Sequence, residues 1–325
     1  MYTHEPTYRD AIKHAWHVVW HHKVLWIFGM LSVFIGQFGL GDFLGKLLVM
    51  SKNIFGPNGQ YGLQMVVYGQ QSFSISQILG TLALFVLALT LFILVIFVSV
   101  TSQGALVASA ISWFKDKKIN FKQAWDIGVK HFWNVLAINV LQKLFLGALL
   151  FLVLFLWIGL VPMVGSGFGT ELMGIGFGFA LFFAFIISSV AIYAIGYVVN
   201  EDLHILPAMR KGWRLFSHHV LVSIELNLLV LILGLVLLVV LSFGAVVVFL
   251  PSLLFWLLGI VFSSVWLIKF GFTLGFGLLL MLLIFTGSIF NSFSTSAWMY
   301  LFLKMHHEGV LSRCYIGIHR LFGKK

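Results

Sequence analysis

The stretch LLVLILGLVLLVVLSFGAVVVFL, residues 228–250, contains no charged side chain and decides the fold class. A helix needs about 20 apolar residues to cross the hydrocarbon core of a bilayer. A membrane β-barrel would instead show segments of roughly ten residues that alternate apolar and polar positions. Because this stretch is continuously apolar, and because backbone groups in lipid must be bonded internally, it predicts a transmembrane helix.

The composition extends this conclusion to the whole chain. Hydrophobic residues fill 61% of the 325 positions, and Asp, Glu, Lys and Arg together fill only 9%, against roughly 25% in a typical soluble domain. We predict an all-α polytopic membrane protein with six transmembrane helices in a single transmembrane domain, 1–325. The predicted spans are 22–41, 77–101, 135–160, 174–199, 219–249 and 271–303. The shorter apolar stretch 251–267, which begins with Pro251, predicts a re-entrant or interfacial segment.

Lysine and arginine are concentrated in alternate connections between the predicted spans. Of the 20 such residues, three lie in 1–23, five in 115–130, three in 210–214 and five in 304–325. The positive-inside rule therefore predicts that both termini are cytoplasmic and that the protein is a multi-pass protein of a bacterial cytoplasmic (inner) membrane. This topology accounts for the net charge of +10 without a nucleic-acid partner. The single cysteine, Cys314, excludes a disulfide within the chain.

Three segments that lead into alternate spans are similar when they are aligned on an alanine. They read AIKHAWHVVWHHKVLWIFG from Ala11, AWDIGVKHFWNVLAINVL from Ala124 and AMRKGWRLFSHHVLVSIEL from Ala208. Their basic residues and tryptophans recur at about one helical turn, as in helices that lie at headgroup depth. We predict three repeat units, at about 8–115, 121–200 and 205–305, followed by a short basic cytoplasmic tail at 306–325. Each unit is an interfacial amphipathic helix plus two spans.

The second span of each unit carries small and hydroxylated residues, in 99–113, 188–197 and 291–298. Small residues let helix backbones approach closely, and the pairs Gly174–Gly178 and Gly271–Gly275 predict such contacts at the starts of two spans. The polar residues could alternatively line a cytoplasmic vestibule. The candidates for this polar pathway are Asn139, Gln142, Asn227, Ser102, Gln103, Ser188, Ser189, Asn291 and Ser292.

Three segments carry a resemblance to a known family. They are VNEDLHILPAMRKGWRLFSHHVLVSIELNLLVLILG (199–234), FNSFSTSAWMYLFLKM (290–305) and QGALVASAISWFKDKKINFKQAWDIGVKHFWNVL (103–136). Together they resemble the membrane domain attached to some glycerophosphoryl diester phosphodiesterases, and free-standing six-span bacterial proteins of that type. The soluble phosphodiesterase barrel has no counterpart in these 325 residues. The resemblance therefore implies a membrane architecture and no catalytic residue.

Two charged residues inside predicted spans, Lys143 and Glu225, should lie at similar depth. Ionisable groups are costly in lipid and usually have a role. Lys143 and Glu225 could form a buried ion pair that holds two spans together. Alternatively, they could form a gate, with further polar contacts from neighbouring amide side chains. Either role requires that the two side chains meet.

Histidines and basic clusters supply two further hypotheses. His14, His17 and His21 are spaced for one helical face, so they could ligate a metal ion or could be interfacial polar residues. The basic residues are candidates for contact with anionic lipid headgroups. They are Lys115, Lys117, Lys118, Lys122, Arg210, Lys211 and Arg214.

No set of residues in the chain predicts a catalytic site or a cofactor. We therefore expect a non-enzymatic membrane protein that organises membrane lipids, a protein partner or further copies of itself. The alternative is a transporter or channel for a lipid or small solute, with a vestibule lined by the polar pathway residues. A vestibule would expose these side chains to water, so the structure distinguishes the two hypotheses.

Overall fold

The computed structural model describes residues 7–32, 75–115, 117, 119–164 and 166–308. These residues form α-helices joined by short turns, and no β-strand occurs among them. The helices are α1 (Thr7–His21), α2 (Val24–Ser32), α3 (Ile75–Phe114), α4 (Phe121–Lys130), α5 (Phe132–Val164), α6 (Ser166–Glu201), α7 (Ile205–His218), α8 (Val220–Val261) and α9 (Val265–Glu308).

Five of the described helices are long and apolar enough to cross a membrane. The qualifying stretches are Leu82–Phe114, Phe132–Leu156, Gly174–Glu201, Val220–Val261 and Val265–His306. This is the architecture of an α-helical polytopic membrane protein, as the sequence predicts. Of the predicted first span, 22–41, only the part up to Ser32 lies within the described residues, and Lys118 and the tail beyond residue 308 lie outside them.

Helices α8 and α9 form one long antiparallel hairpin, which corrects the prediction for 251–267. Helix α8 continues through Pro251 to Val261, the chain turns over residues 262–264, and α9 begins at Val265. Residues 251–261 and 265–267 are therefore the ends of two long helices and not a separate element, and the interfacial placement of this stretch stays a prediction. With 42 residues, α8 is about 63 Å long. A proline is tolerated within such a helix because local adjustments and neighbouring groups satisfy the freed backbone.

Small residues hold this hairpin together near its turn. Ser252 is buried, and its hydroxyl donates to the backbone oxygen of Gly271 at 2.5 Å. A Cβ at Gly275 would lie 2.5 Å from Ser252 Oγ, so a larger residue would push the helices apart. The packing role predicted for Gly271 and Gly275 is confirmed. In contrast, a Cβ at Gly174 or Gly178 would meet no atom within 4 Å among the described residues.

The packed core lies at one end of the molecule, which we call the charged end because Lys130, Asp202, Glu201 and Lys211 lie there. The last turns of α3, α6 and α9 meet in this core. Its largest fully buried side chains include Ile138, Tyr193, Ile195, Met299, Leu301 and Phe302. Burial is thus concentrated in the part of each helix that also carries the small and hydroxylated residues.

Beyond this core the helices continue as distal halves, which we define as 79–97, 144–156, 174–183, 231–261 and 265–285. In α8 the consecutive residues Leu238, Val239 and Val240 are 61%, 53% and 59% exposed. Successive helix residues point about 100° apart, so these three side chains face three different directions. Because lipid tails are as apolar as leucine, no hydrophobic force draws such surfaces together in a bilayer. Most side chains of the distal halves are likewise apolar and exposed, as expected of residues that face lipid.

The short helices α1, α4 and α7 each pack on the end of a long helix at the charged end. Helix α4 packs on α3, α7 packs on α6 and α1 packs on α9. The three alanines that align the sequence segments, Ala11, Ala124 and Ala208, are all buried. The exposed sides carry Trp16 on α1 and Trp213 on α7. Each short helix therefore has one face against the core and an opposite face with an aromatic side chain or charges.

Glycine permits the closest of these contacts. A Cβ at Gly128 of α4 would lie 2.2 Å from the backbone oxygen of Thr101 in α3, and one at Gly212 of α7 would lie 3.1 Å from the backbone oxygen of Val190 in α6. Both glycines stand four residues after an aligned alanine, and Ala15 of α1 occupies the same position and is buried. The short helices thus use the same position to approach the long ones.

We expect Gly128→Ala to destabilise the protein by roughly 1–3 kcal/mol, because the added methyl group overlaps the α3 backbone. Thermal unfolding of the detergent-solubilised full chain measures the change. Gly147→Ala is the matched control, since a Cβ there would meet no atom of the described residues within 4 Å. The control should leave the melting temperature unchanged or raise it slightly. Equal melting temperatures for the two variants would contradict the close contact.

Candidate functional site

The polar residues predicted to line a pathway form a buried layer between the helices of the charged end. The first contact in it is a reciprocal pair of amides: Asn139 Nδ2 on α5 donates to Gln103 Oε1 on α3 at 2.6 Å, and Gln103 Nε2 faces Asn139 Oδ1 at 3.5 Å. Asn139 Nδ2 also lies 3.0 Å from the backbone oxygen of Val135. Both amides are buried and each has a partner, so they fix the register of α3 against α5.

Two further contacts join α6 to its neighbours. Gln142 Nε2 on α5 donates to Ser188 Oγ on α6 at 3.4 Å. Tyr193 Oη on α6 lies 2.7 Å from Ser223 Oγ on α8, and both groups are buried. Sequence reasoning did not select this second pair, although the position of a tyrosine among small residues in 188–197 was a usable signal. The layer therefore connects α3, α5, α6 and α8 through side chains.

Helix α9 binds α2 through side chains that reach the α2 backbone. Asn291 Nδ2 donates to Ser32 Oγ at 2.7 Å and to the backbone oxygen of Gly29 at 3.2 Å. Ser292 Oγ donates to the backbone oxygen of Leu25 at 2.8 Å. A Cβ at Gly29 would lie 2.1 Å from Ser292 Oγ. These contacts dock the described part of the first predicted span on the last helix.

Most side chains of this layer are buried in the described structure. Ser102, Gln103 and Asn139 are 0%, 2% and 4% exposed, whereas residues that line a water-filled opening would be accessible. Gln142, Ser189, Asn291 and Ser292 are likewise buried, and Ser188 and Asn227 are half-buried. The hydroxyls of Ser99, Thr101, Ser102 and Ser296 are buried without a hydrogen-bond partner among the described residues. Close packing, rather than access to water, is the common property of this set.

A second group of polar residues lies at the surface of the charged end and centres on Asp202. This residue has a φ of 55° in the left-handed region, which Asp and Asn adopt more readily than most residues. Its carboxylate bonds Lys130 Nζ and His131 Nε2, each at 2.5 Å. Hydrogen bonds from Lys130 and then His131 hold the pKa of Asp202 below its ordinary value. Asp202 thereby joins the end of α6 to the junction between α4 and α5.

The preceding residues make parallel contacts. Glu201 lies 2.7 Å from Lys211 Nζ on α7 and 3.3 Å from His306 Nε2 on α9. Lys115 Nζ, just after α3, donates to Asn200 Oδ1 at 2.7 Å. The segment Asn200–Asp202 therefore contacts residues from four neighbouring parts of the chain. Sequence reasoning quoted this segment only for the family resemblance, although two acids that end an apolar helix between basic clusters were a signal for such contacts.

Lys143 on α5 and Glu225 on α8 are both half-buried, and each lies in the half of its helix nearest the charged end. Their depth agrees with the predicted similarity, and the ion pair between them stays a prediction. Lys115 and Lys211, two of the candidate lipid contacts, bond protein groups as described above. The other described candidates, Lys117, Lys122, Arg210 and Arg214, are exposed.

The predicted metal site is not formed. The ring of His14 lies 4.9 Å from that of Tyr300 on α9, whereas His17 and His21 are exposed with their rings 3.9 Å apart. His21 Nδ1 lies 2.8 Å from the backbone oxygen of His17. No group of three His, Cys, Asp or Glu among the described residues could hold a metal ion. The described geometry gives no support to metal ligation by these three histidines, because His14 packs against aromatic rings.

Comparisons with known proteins found no matching family model, curated protein or solved structure. The resemblance to the phosphodiesterase membrane domain therefore stays a prediction that depends on the three segments that carry it.

We expect Asp202→Asn to lower the melting temperature of the full chain, because asparagine keeps the backbone conformation but loses two charge-assisted hydrogen bonds. A carboxyl whose pKa is lowered in the folded state stabilises the fold at pH values above its ordinary pKa of 3.8. This stabilisation is lost as the pH falls through the folded-state pKa. The difference from wild type should therefore disappear in strong acid. Asp126→Asn, at an exposed position, should have no effect. A difference that persists unchanged below the folded pKa would contradict this role.

Proposed function

We propose that this chain is a non-enzymatic membrane protein that organises lipid or protein partners in the cytoplasmic membrane. The observation that carries this proposal is the contrast between the two ends of the helices. Most polar residues that could serve transport are buried at the charged end, whereas most side chains of the distal halves are apolar and exposed. Such a molecule offers a large surface to lipid and to other membrane helices. It offers no accessible polar path at the pathway residues.

The same proposal includes six spans in three repeat units, with both termini cytoplasmic. The equivalent burial of Ala11, Ala124 and Ala208 supports the repeat. The contacts of the short helices support it as well, since α4 and α7 pack on the long helix that precedes them and α1 packs on the last helix, α9. Because α1 packs on α9, the second span of every proposed unit has one interfacial helix packed against it. The cytoplasmic orientation rests on the distribution of lysine and arginine.

The contacts at the charged end favour an organising role over an enzymatic one. Glu201 and Asp202, the two acids at the end of α6, are both bound to cationic side chains from other parts of the chain. A general acid or base would need a titratable group free to exchange protons with a substrate. These carboxylates instead join helices to one another. The resemblance to a membrane domain that accompanies enzymes without containing their catalytic site is consistent with this role.

Thiol labelling tests whether the polar layer is closed. In a chain with Cys314 replaced by serine, Ser102→Cys and Ser292→Cys should resist a membrane-impermeant thiol reagent until the protein is denatured, because both positions are 0% exposed. Ser217→Cys, on the exposed side of α7, should react at once and is the matched control. Melting temperatures show whether each variant is folded. Rapid labelling of folded Ser102→Cys would contradict the proposal and would favour the transporter.

A further inference from the structure

Helix α7 has a buried face and an exposed face of opposite character. Ala208, Gly212, Leu215 and Phe216 are buried against the core. Residues 206, 210, 213 and 214 are exposed, and their spacing of four, seven and eight residues places them on one side of the helix. This exposed side carries two apolar side chains, Leu206 at 78% and Trp213 at 53% exposure, together with two arginines.

The arginines of this face differ from the neighbouring lysines in what they contact. Lys211 bonds Glu201 and lies 5.6 Å from the ring centre of Tyr197, and Lys130 bonds Asp202. No ion pair among the described residues involves Arg210 or Arg214. The two nearby acids are thus already bound to other cations. The charge of the arginines remains available to an external anion.

The face of α7 is also more uniformly positive than those of the other short helices. Helix α7 contains no acidic residue. On α4 the exposed Lys122 is accompanied by the exposed Asp126, and α1 includes Asp10. Nearby acids weaken the attraction of a surface for an anion. Of the three short helices, α7 is therefore the one suited to bind an anion.

We propose that the face formed by Leu206, Arg210, Trp213 and Arg214 binds the phosphate group of an anionic phospholipid. Arginine can donate two parallel hydrogen bonds to a phosphate. A tryptophan beside it suits headgroup depth, where one edge of the ring contacts lipid carbons and the N–H contacts polar groups. The combination of positive charge with exposed apolar side chains selects a lipid over a soluble phosphate, which would not require Leu206 or Trp213.

This inference names a partner for the proposed organising function and rests on it, because α7 must lie at a membrane interface. Native mass spectrometry of the full chain, reconstituted with equal amounts of phosphatidylglycerol and phosphatidylcholine, measures which lipid stays bound. Wild type should retain phosphatidylglycerol in excess by roughly fivefold or more. The double variant Arg210→Gln/Arg214→Gln should retain the two lipids equally.

The matched control is Lys117→Gln/Lys122→Gln, which removes the same two charges from exposed positions at the same end. It should keep the preference. The proposal would be overturned if the arginine variant kept its preference for phosphatidylglycerol. It would also be overturned if the lysine variant lost the preference equally, because net charge alone would then explain the binding. If the arginine variant does not fold, the emission of Trp213 gives a second test, measured as the difference in fluorescence between wild type and Trp213→Phe. Brominated phosphatidylglycerol should quench this emission more than brominated phosphatidylcholine does. Equal quenching would overturn the proposal.

The two proposals fail separately. Loss of the α7 site would leave the resistance of Ser102→Cys to thiol reagents unchanged. Labelling of Ser102→Cys would instead contradict the organising function, whatever the lipid preference.

Discussion

A side-chain amide buried among apolar helices is stabilised by a hydrogen-bond partner on another helix, because lipid supplies none. The reciprocal contact of Gln103 with Asn139 shows how this constraint acts on the chain. Neither amide can be withdrawn from the other without leaving an unsatisfied group in an apolar environment, so α3 and α5 are held in one register. The Tyr193–Ser223 and Asn291–Ser32 contacts do the same for α6 with α8 and for α9 with α2.

The hydrogen bonds of this layer depend on the small residues around it. Short polar side chains reach a partner only where backbones come close, and Gly29, Gly128 and Gly212 occupy positions where a Cβ would meet the neighbouring helix. Dispersion contacts then add to the hydrogen bonds. Beyond this layer polar and small contacts are sparser, with Ser252 against Gly271 near the hairpin turn as the main example, and most side chains of the distal halves are exposed. The division into a packed end and distal halves thus follows from where these residues stand in the sequence.

Much of this arrangement could be predicted from local patterns. Continuous apolar runs predicted the long helices, and the aligned alanines marked positions that are buried in α1, α4 and α7. Patterns fail where the outcome depends on what faces a residue across space. Pro251 was interpreted as the start of a separate segment because propensity disfavours it within a helix, yet α8 continues through it. His14 has suitable spacing for a metal ligand, but an aromatic ring from residue 300 lies against it. Asp202 bonds residues 71 and 72 positions away, a relation that no local pattern contains.

The central claim is that α8 is packed on several sides in its first turns, whereas beyond them most of its side chains face lipid. Spin labels placed at single cysteines along 220–261, in a chain with Cys314 replaced, report collisions with oxygen and with a water-soluble nickel complex. Oxygen collisions should be rare at Val222, Leu226 and Val230, which are 3%, 0% and 8% exposed. They should be frequent at each of Leu238, Val239 and Val240, and nickel collisions should be rare at all six positions. Rare oxygen collisions at two of the last three positions, or frequent nickel collisions at the first three, would contradict the account.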